Sequence, residues 1–209
     1  HRDLHSFPTR RSSDLLLGCN DGVRIINRVS GVVKYFPIFP NAHVVEHNRE
    51  LFILSHSTRR KDVKIYQHFL SKRYSGPLFQ FAMKEDFSPH FSICDQYIAC
   101  IGSTKQCIQQ YTRATGKTTE LWLPWMKHLH NVKFLKDSSL LLTGRDAQTQ
   151  NISRYDILIE GKPILVWTCS LPPAFGICIT ETALIVGGLT DKTMLIISEQ
   201  GEPTITFSS

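Results

Sequence analysis

The chain has 209 residues, 42% of them hydrophobic and 20% charged, with a formal net charge of +6. This is the balance of a globular domain large enough to bury a core, and it excludes the disordered and fibrous classes. No apolar run approaches the roughly 18 to 20 residues that a membrane-spanning helix requires, so no membrane partner is expected.

Residues 1–15, HRDLHSFPTRRSSDL, resemble the translation of a sequencing-library adapter. They are set aside as a non-native leader. The leader carries three arginines and two aspartates, so without it the net charge falls to +5. If adapter sequence was joined to the gene, the true N-terminus lies upstream. A signal peptide, a missing blade or a RING ubiquitin-ligase domain would then be invisible here.

From Leu16 onward, short apolar runs recur at 51–54, 97–101, 140–142 and 183–186, with starts 46, 43 and 43 residues apart. Glycines at turn positions recur beside them: Gly31, Gly76, Gly116, Gly161 and Gly201, spaced 45, 40, 45 and 40. A period of about 40 to 50 residues with four short strands in each repeat is the signature of propeller blades. The expected fold is all-β: an incomplete β-propeller of about four and a half four-stranded antiparallel blades. A partial blade is expected at 16–37, then blades at 41–83, 88–124, 128–171 and 174–209. The second strand of each blade is apolar at nearly every position, as a strand covered on both faces should be. The outer strand at 119–123 alternates, as a half-exposed strand should. Within 62–75, Val63, Tyr66, Leu70 and Tyr74 sit at helical spacing, yet equivalence with the other blades makes the segment strand and loop. If the preceding blade is missing, the chain alone exposes apolar blade faces and is not expected to behave as a stable monomer.

Blade three opens with Pro89, His90 and Phe91 running into Asp95 and a Tyr97 strand. Blade five opens with Pro172, Pro173 and Ala174, followed by Gly176 and Ile177 and then the 184–186 strand. Both openings resemble NHL-type blades, though the Gly-Ile pair is absent from blades two to four. The resemblance implies the C-terminal propeller of a tripartite-motif-like protein. A second resemblance, to quinoprotein-like blades, rests on Thr115, Gly116 and Lys117 ahead of Trp122, and on Gly161 and Lys162 ahead of Trp167. In either family the glycine makes the hairpin turn and an aromatic packs between blades. WD-repeat blades share that chemistry, but no Trp-Asp dipeptide occurs.

Six cysteines, at 19, 94, 100, 107, 169 and 178, form no Cys-x-x-Cys pair, and most lie in apolar runs. They read as reduced core residues and favour a cytoplasmic protein. The sequon at Asn151, Ile152 and Ser153 points the other way. His43, His90 and His130 open consecutive blades and read as structural braces rather than metal ligands. His128 adds a candidate surface contact. Arg59, Arg60 and Lys61 form the densest basic run, in a loop between the second and third strands of blade two. The face that carries them holds eight positive and six negative residues, and the opposite face eight and seven. Neither is a nucleic-acid footprint. Trp125, on a connection, is either a binding anchor or a plug between blades.

No nucleophile elbow, carboxylate pair or phosphate-cradling loop is present, so no catalytic, cofactor-binding or metal residue is assigned. The expected role is a non-catalytic binding module with a protein partner, or RNA as the second choice, and no small-molecule substrate. The tentative contact residues are Arg59, Arg60, Lys61, Trp125 and His128. The alternatives are a quinoprotein-like or lactonase-like propeller enzyme, or a WD-type scaffold.

Overall fold

The computed structural model describes residues 14–37, 39–48, 50–68, 76–85, 89–124, 126–135, 139–145, 150–157, 163–171, 174–179, 184–188, 193–198 and 202–208. Every described strand pairs antiparallel with its sequence neighbour, and no helix occurs among the described residues. The chain divides into two compact units, 1–89 and 90–209.

The first unit begins with β1 (Asp14–Cys19), β2 (Gly22–Asn27) and β3 (Val33–Phe36), a three-stranded sheet in that order. The first strand includes Asp14 and Leu15, which the sequence reading set aside. Asp14 and Leu15 pair with Asn27 and Ile26, and Asn27 Nδ2 donates to Asp14 Oδ1 at 2.9 Å. Any residue without a steric conflict can extend a ladder whose partner strand is already in place, so β1 begins two residues before the boundary expected at Leu16.

A four-stranded sheet follows: β4 (Ala42–His47), β5 (Glu50–Ser57), β6 (Asp62–His68) and β7 (Phe79–Ala82). In β5 residues 51–56 are all buried, as its unbroken apolar run requires of a strand covered on both faces. The helically spaced residues Val63 and Tyr66 lie on a strand, β6, while Leu70 and Tyr74 fall outside the described residues. The two sheets share a core of Val23, Phe39, Ala42, Leu51, Ile53 and Tyr66, with Leu16, Phe36 and Val44 packed against it. The rings of Phe39 and Tyr66 meet at 5.1 Å. Gly18 makes this packing possible: a Cβ there would lie 2.0 Å from the Ala42 carbonyl oxygen.

Among the described residues, the second unit holds three sheets of four strands. The first is β8 (Phe91–Ile93), β9 (Tyr97–Ile101), β10 (Cys107–Thr112) and β11 (Thr118–Trp122). Next come β12 (His128–Phe134), β13 (Leu140–Arg145), β14 (Gln150–Ile157) and β15 (Pro163–Leu171). Last are β16 (Ala174–Ile179), β17 (Leu184–Gly188), β18 (Thr193–Ile197) and β19 (Pro203–Ser208). The first two sheets are tied by bonds from Phe134 N to Ser92 Oγ (2.9 Å) and from Leu129 N to Lys105 O (2.7 Å).

Gly116 closes the β10–β11 hairpin at φ +70°, and its N–H donates to Thr112 O at 2.9 Å; a side chain would strain that backbone. One expectation fails in the same hairpin. Trp122 does not pack between sheets. It is 49% exposed, and Leu121 takes the buried position at 2%. In a strand with one face covered, alternation gives the interior to one of two adjacent residues. Cys94, Cys100 and Cys107 are buried free thiols and Cys19 is half-buried. Burial pushes the Cys100 thiol well above its ordinary pKa. The side chains of Cys169 and Cys178 lie outside the described residues.

Candidate functional site

Three connections meet at one end of the first unit. The Asn41 N–H donates to Asn20 O at 2.9 Å, tying the β3–β4 link to the β1–β2 turn. Asn41 Nδ2 donates to His56 O (3.2 Å) and Ser55 Oγ to Pro40 O (2.7 Å), tying the same link to the end of β5. The Met83 N–H donates to Lys61 O at 2.7 Å, joining the end of β7 to the β5–β6 turn.

That turn carries the basic run. Arg59, Arg60 and Lys61 are all exposed. The Arg60 N–H donates to Ser57 Oγ at 3.1 Å, and Lys61 adopts φ +52°. Non-glycine residues seldom take this left-handed conformation, so the bonds around it hold the turn in one shape. Asp62, the first residue of β6, receives two cations at one oxygen. Arg60 Nε lies 3.5 Å from its Oδ2, and Lys64 Nζ lies 3.4 Å from the same atom. Lys64 was missed as a site residue. Its signal is local: residues two apart on a strand share a face, and Asp62 and Lys64 are two apart. Lys84 and Glu85 follow Met83 and are exposed.

The β1–β2 turn carries a second charged pair. Arg24 donates from both terminal nitrogens to Asp21, at 2.8 and 2.7 Å, and its guanidinium lies 4.7 Å from the Tyr35 ring centroid. This guanidinium holds the Asp21 carboxyl below the usual carboxylate range. The pair satisfies itself and adds little net charge.

A pair of imidazoles lies beneath the turns. His43, on β4, and His56, on β5, stack with ring centroids 6.1 Å apart. His56 is 8% exposed, and burial lowers its pKa below the usual 6.5. The sign follows from linkage. Above pH 6.5 the residue is neutral folded and unfolded, and its contribution to stability is complete. As pH falls from 6.5 through the lowered folded value, the unfolded chain takes up the proton first and stability is lost. The urea midpoint is therefore expected to fall between pH 7.5 and 5, and His56→Gln to flatten that fall. An identical pH dependence in the variant would show that His56 contributes nothing to it.

The other expected contacts lie beyond the first unit. His128 is exposed at the start of β12 in the second unit, its Cα opposite that of Arg145. Trp125 lies outside the described residues. His130 sits at a β-bulge, and His90 precedes β8, its carbonyl accepting from Ile101 N at 3.0 Å. Also in that unit, Glu120 Oε2 accepts from Gln109 Nε2 and from Ser103 Oγ. Among the described residues, no group of three or more His, Cys, Asp or Glu side chains is placed to hold a metal ion.

No family model matches the chain, and no curated protein matches it in sequence. Solved structures do match in shape. An auxiliary nutrient-binding protein from Bacteroides ovatus aligns over 93% of this chain with a TM-score of 0.65 and 14% identity. A streptogramin B lyase aligns over 96%, with a TM-score of 0.66 and 15% identity. Virginiamycin B lyase from Staphylococcus aureus aligns over 96%, with a TM-score of 0.64 and 15% identity. The chain spans 54%, 66% and 68% of those three chains. With its sheets of successive antiparallel strands, the likeness shows the fold: an all-β, incomplete β-propeller. Fold alone does not carry activity, and the three neighbours include both a binding protein and enzymes.

Proposed function

We propose that the chain is a non-catalytic binding module that meets a protein partner through the turn end of its first unit. The observation that supports this reading is the β5–β6 turn, where three exposed cations stand on a backbone fixed from both sides. A rigid, charged loop on a packed scaffold suits recognition, because little entropy is lost when a partner engages it. The NHL-like blade openings extend the proposal to the propeller of a tripartite-motif-like protein acting in the cytoplasm, with RNA as the second partner class. The test is affinity capture from cell extract with the tagged chain, followed by mass spectrometry and RNA sequencing. Reproducible enrichment of a protein partner supports the module. Recovery of neither protein nor RNA overturns it.

The His43–His56 pair and the likeness to two lyases favour a second reading, an enzyme. Loss of virginiamycin B on incubation with the chain, followed by liquid chromatography and mass spectrometry, would support it. The quinoprotein-like and lactonase-like variants of that reading expect calcium or a quinone to raise the melting temperature. An unchanged antibiotic and an unchanged melt would remove all of these variants.

A further inference from the structure

We infer that the face of the β1–β3 sheet turned away from β4 is an interface that a second copy of this chain covers, sheet against sheet across a two-fold axis. The face is set by register. Leu15, Ile26 and Val33 form one cross-strand row, and Leu17, Arg24 and Tyr35 form the next. Residues opposed in antiparallel strands share a face, as do residues two apart, so all six lie on one side. Leu15 is 46% exposed there, Leu17 37%, Val33 53% and Tyr35 45%. The other side of the same sheet carries Leu16, Val23 and Phe36 into the core shared with Ala42, Leu51 and Ile53.

The repeat shows what kind of surface covers such a face. The β2–β3 hairpin is built like the β10–β11 hairpin. The Asn27 N–H donates to Val32 O (2.9 Å) and the Gly31 N–H to Asn27 O (2.8 Å). In the same way the Thr112 N–H donates to Lys117 O (2.8 Å) and the Gly116 N–H to Thr112 O (2.9 Å). The two glycines have φ +71° and +70°. By this match β1 takes the place that β9 and β5 take in their own sheets. Residues 98–101 of β9 are exposed by no more than 1%, and Leu51 and Ile53 of β5 by no more than 3%. Leu51 and Ile53 are covered by Leu16, Val23 and Phe36 of the preceding sheet. Leu15 and Leu17 look in that same direction from β1, so the surface suited to them is another sheet presenting aliphatic side chains.

The charge pattern admits the face's own image. Arg24 is the charged residue of the two rows. Both of its terminal nitrogens donate to Asp21, at 2.8 and 2.7 Å, and its guanidinium lies 4.7 Å from the Tyr35 ring centroid. The pair is neutral within one chain, so two such faces meet without opposing like charges. A two-fold contact joins a patch to itself and requires this self-compatibility. Apolar area left open to water on such a face is the mark of an association surface. This contact is independent of the partner proposed for the β5–β6 turn.

The experiment is sedimentation velocity of the full chain over a wide dilution series, with hydroxyl-radical footprinting at both ends of the series. The wild type should run as a dimer when concentrated and dissociate on dilution. Leu17, Val33 and Tyr35 should be oxidised more slowly in the dimer, while Phe81, half-buried on β7, reacts at the same rate in both states. The double variant Leu17→Glu, Val33→Glu should weaken the dimer about tenfold or more, because the contact would bury unpaired carboxylates from both copies. Gln80→Glu, exposed on β7, should leave it unchanged. Circular dichroism checks that both variants fold, and if the double variant does not, the wild-type footprint decides. Four results would each overturn the inference. They are a monomer at every concentration, an assembly that grows past two copies, a dimer in which Leu17, Val33 and Tyr35 react as in the monomer, and a folded double variant that dimerises like the wild type.

Discussion

Replacing Phe52 by alanine is expected to cost about 3–5 kcal/mol of unfolding free energy. Phe52 is 0% exposed and lies inside β5, with β4 on one side and β6 on the other, its Cα opposite those of Val45 and Gln67. Its neighbours in sequence, Leu51, Ile53 and Leu54, are exposed by no more than 3%. Removing a fully buried ring leaves a cavity, so the loss of ring contacts adds to the lost transfer free energy. Val29→Ala is the control. That side chain is 79% exposed on the β2–β3 turn, and its removal should stay within about 0.5 kcal/mol. Urea unfolding followed by circular dichroism compares the two. Similar midpoints would mean that β5 is not the covered central strand described here.

Gly18→Ala is expected to reach or exceed the 1–3 kcal/mol usual for overpacking, approximately. An alanine Cβ at that position would lie 2.0 Å from Ala42 O, 2.7 Å from Ala42 C and 3.1 Å from His43 Cα. All three are backbone atoms, so no side chain can turn aside. The β1–β3 sheet must withdraw from β4, which loosens Leu16 and Val23 from the core they share with Ala42. Gly31→Ala separates this clash from backbone strain. Gly31 has φ +71° and nothing within 4 Å of its would-be Cβ, so alanine there meets only the left-handed penalty of about 1–2 kcal/mol. Thermal melts of the two variants should rank Gly18→Ala below Gly31→Ala. The reverse order would show that the close approach of β1 to β4 does not hold.

Much of the fold was legible because its determinants are local. The run at 51–54 is apolar at every position and becomes a strand buried on both faces. Gly31 and Gly116 fall where hairpins need positive φ, at +71° and +70°. Other features depend on partners distant in sequence. Alternation at 119–123 is plain in the sequence, but nothing local says whether Leu121 or Trp122 faces inward, and the structure chooses Leu121. The basic turn was visible as Arg59, Arg60 and Lys61. Its clamp on Asp62 was not read, although the spacing of two that puts Lys64 on the same strand face as Asp62 is a local signal. His56 escaped notice because its burial comes from the neighbours of β5 rather than from its own polar surroundings in sequence. Trp125 and His128 were read from the sequence as tentative contact residues. His128 is exposed at the head of β12, and Trp125 lies outside the described residues.

The central claim is that a partner meets the turn end of the first unit. Lysine-acetylation footprinting of the chain, alone and with the protein recovered by affinity capture, tests it most directly. The account predicts that Lys61, Lys64 and Lys84 are protected in the complex, while Lys34 on β3 and Lys117 beside the β10–β11 turn react as before. Protection of Lys34 or Lys117 with Lys61, Lys64 and Lys84 unchanged would contradict it.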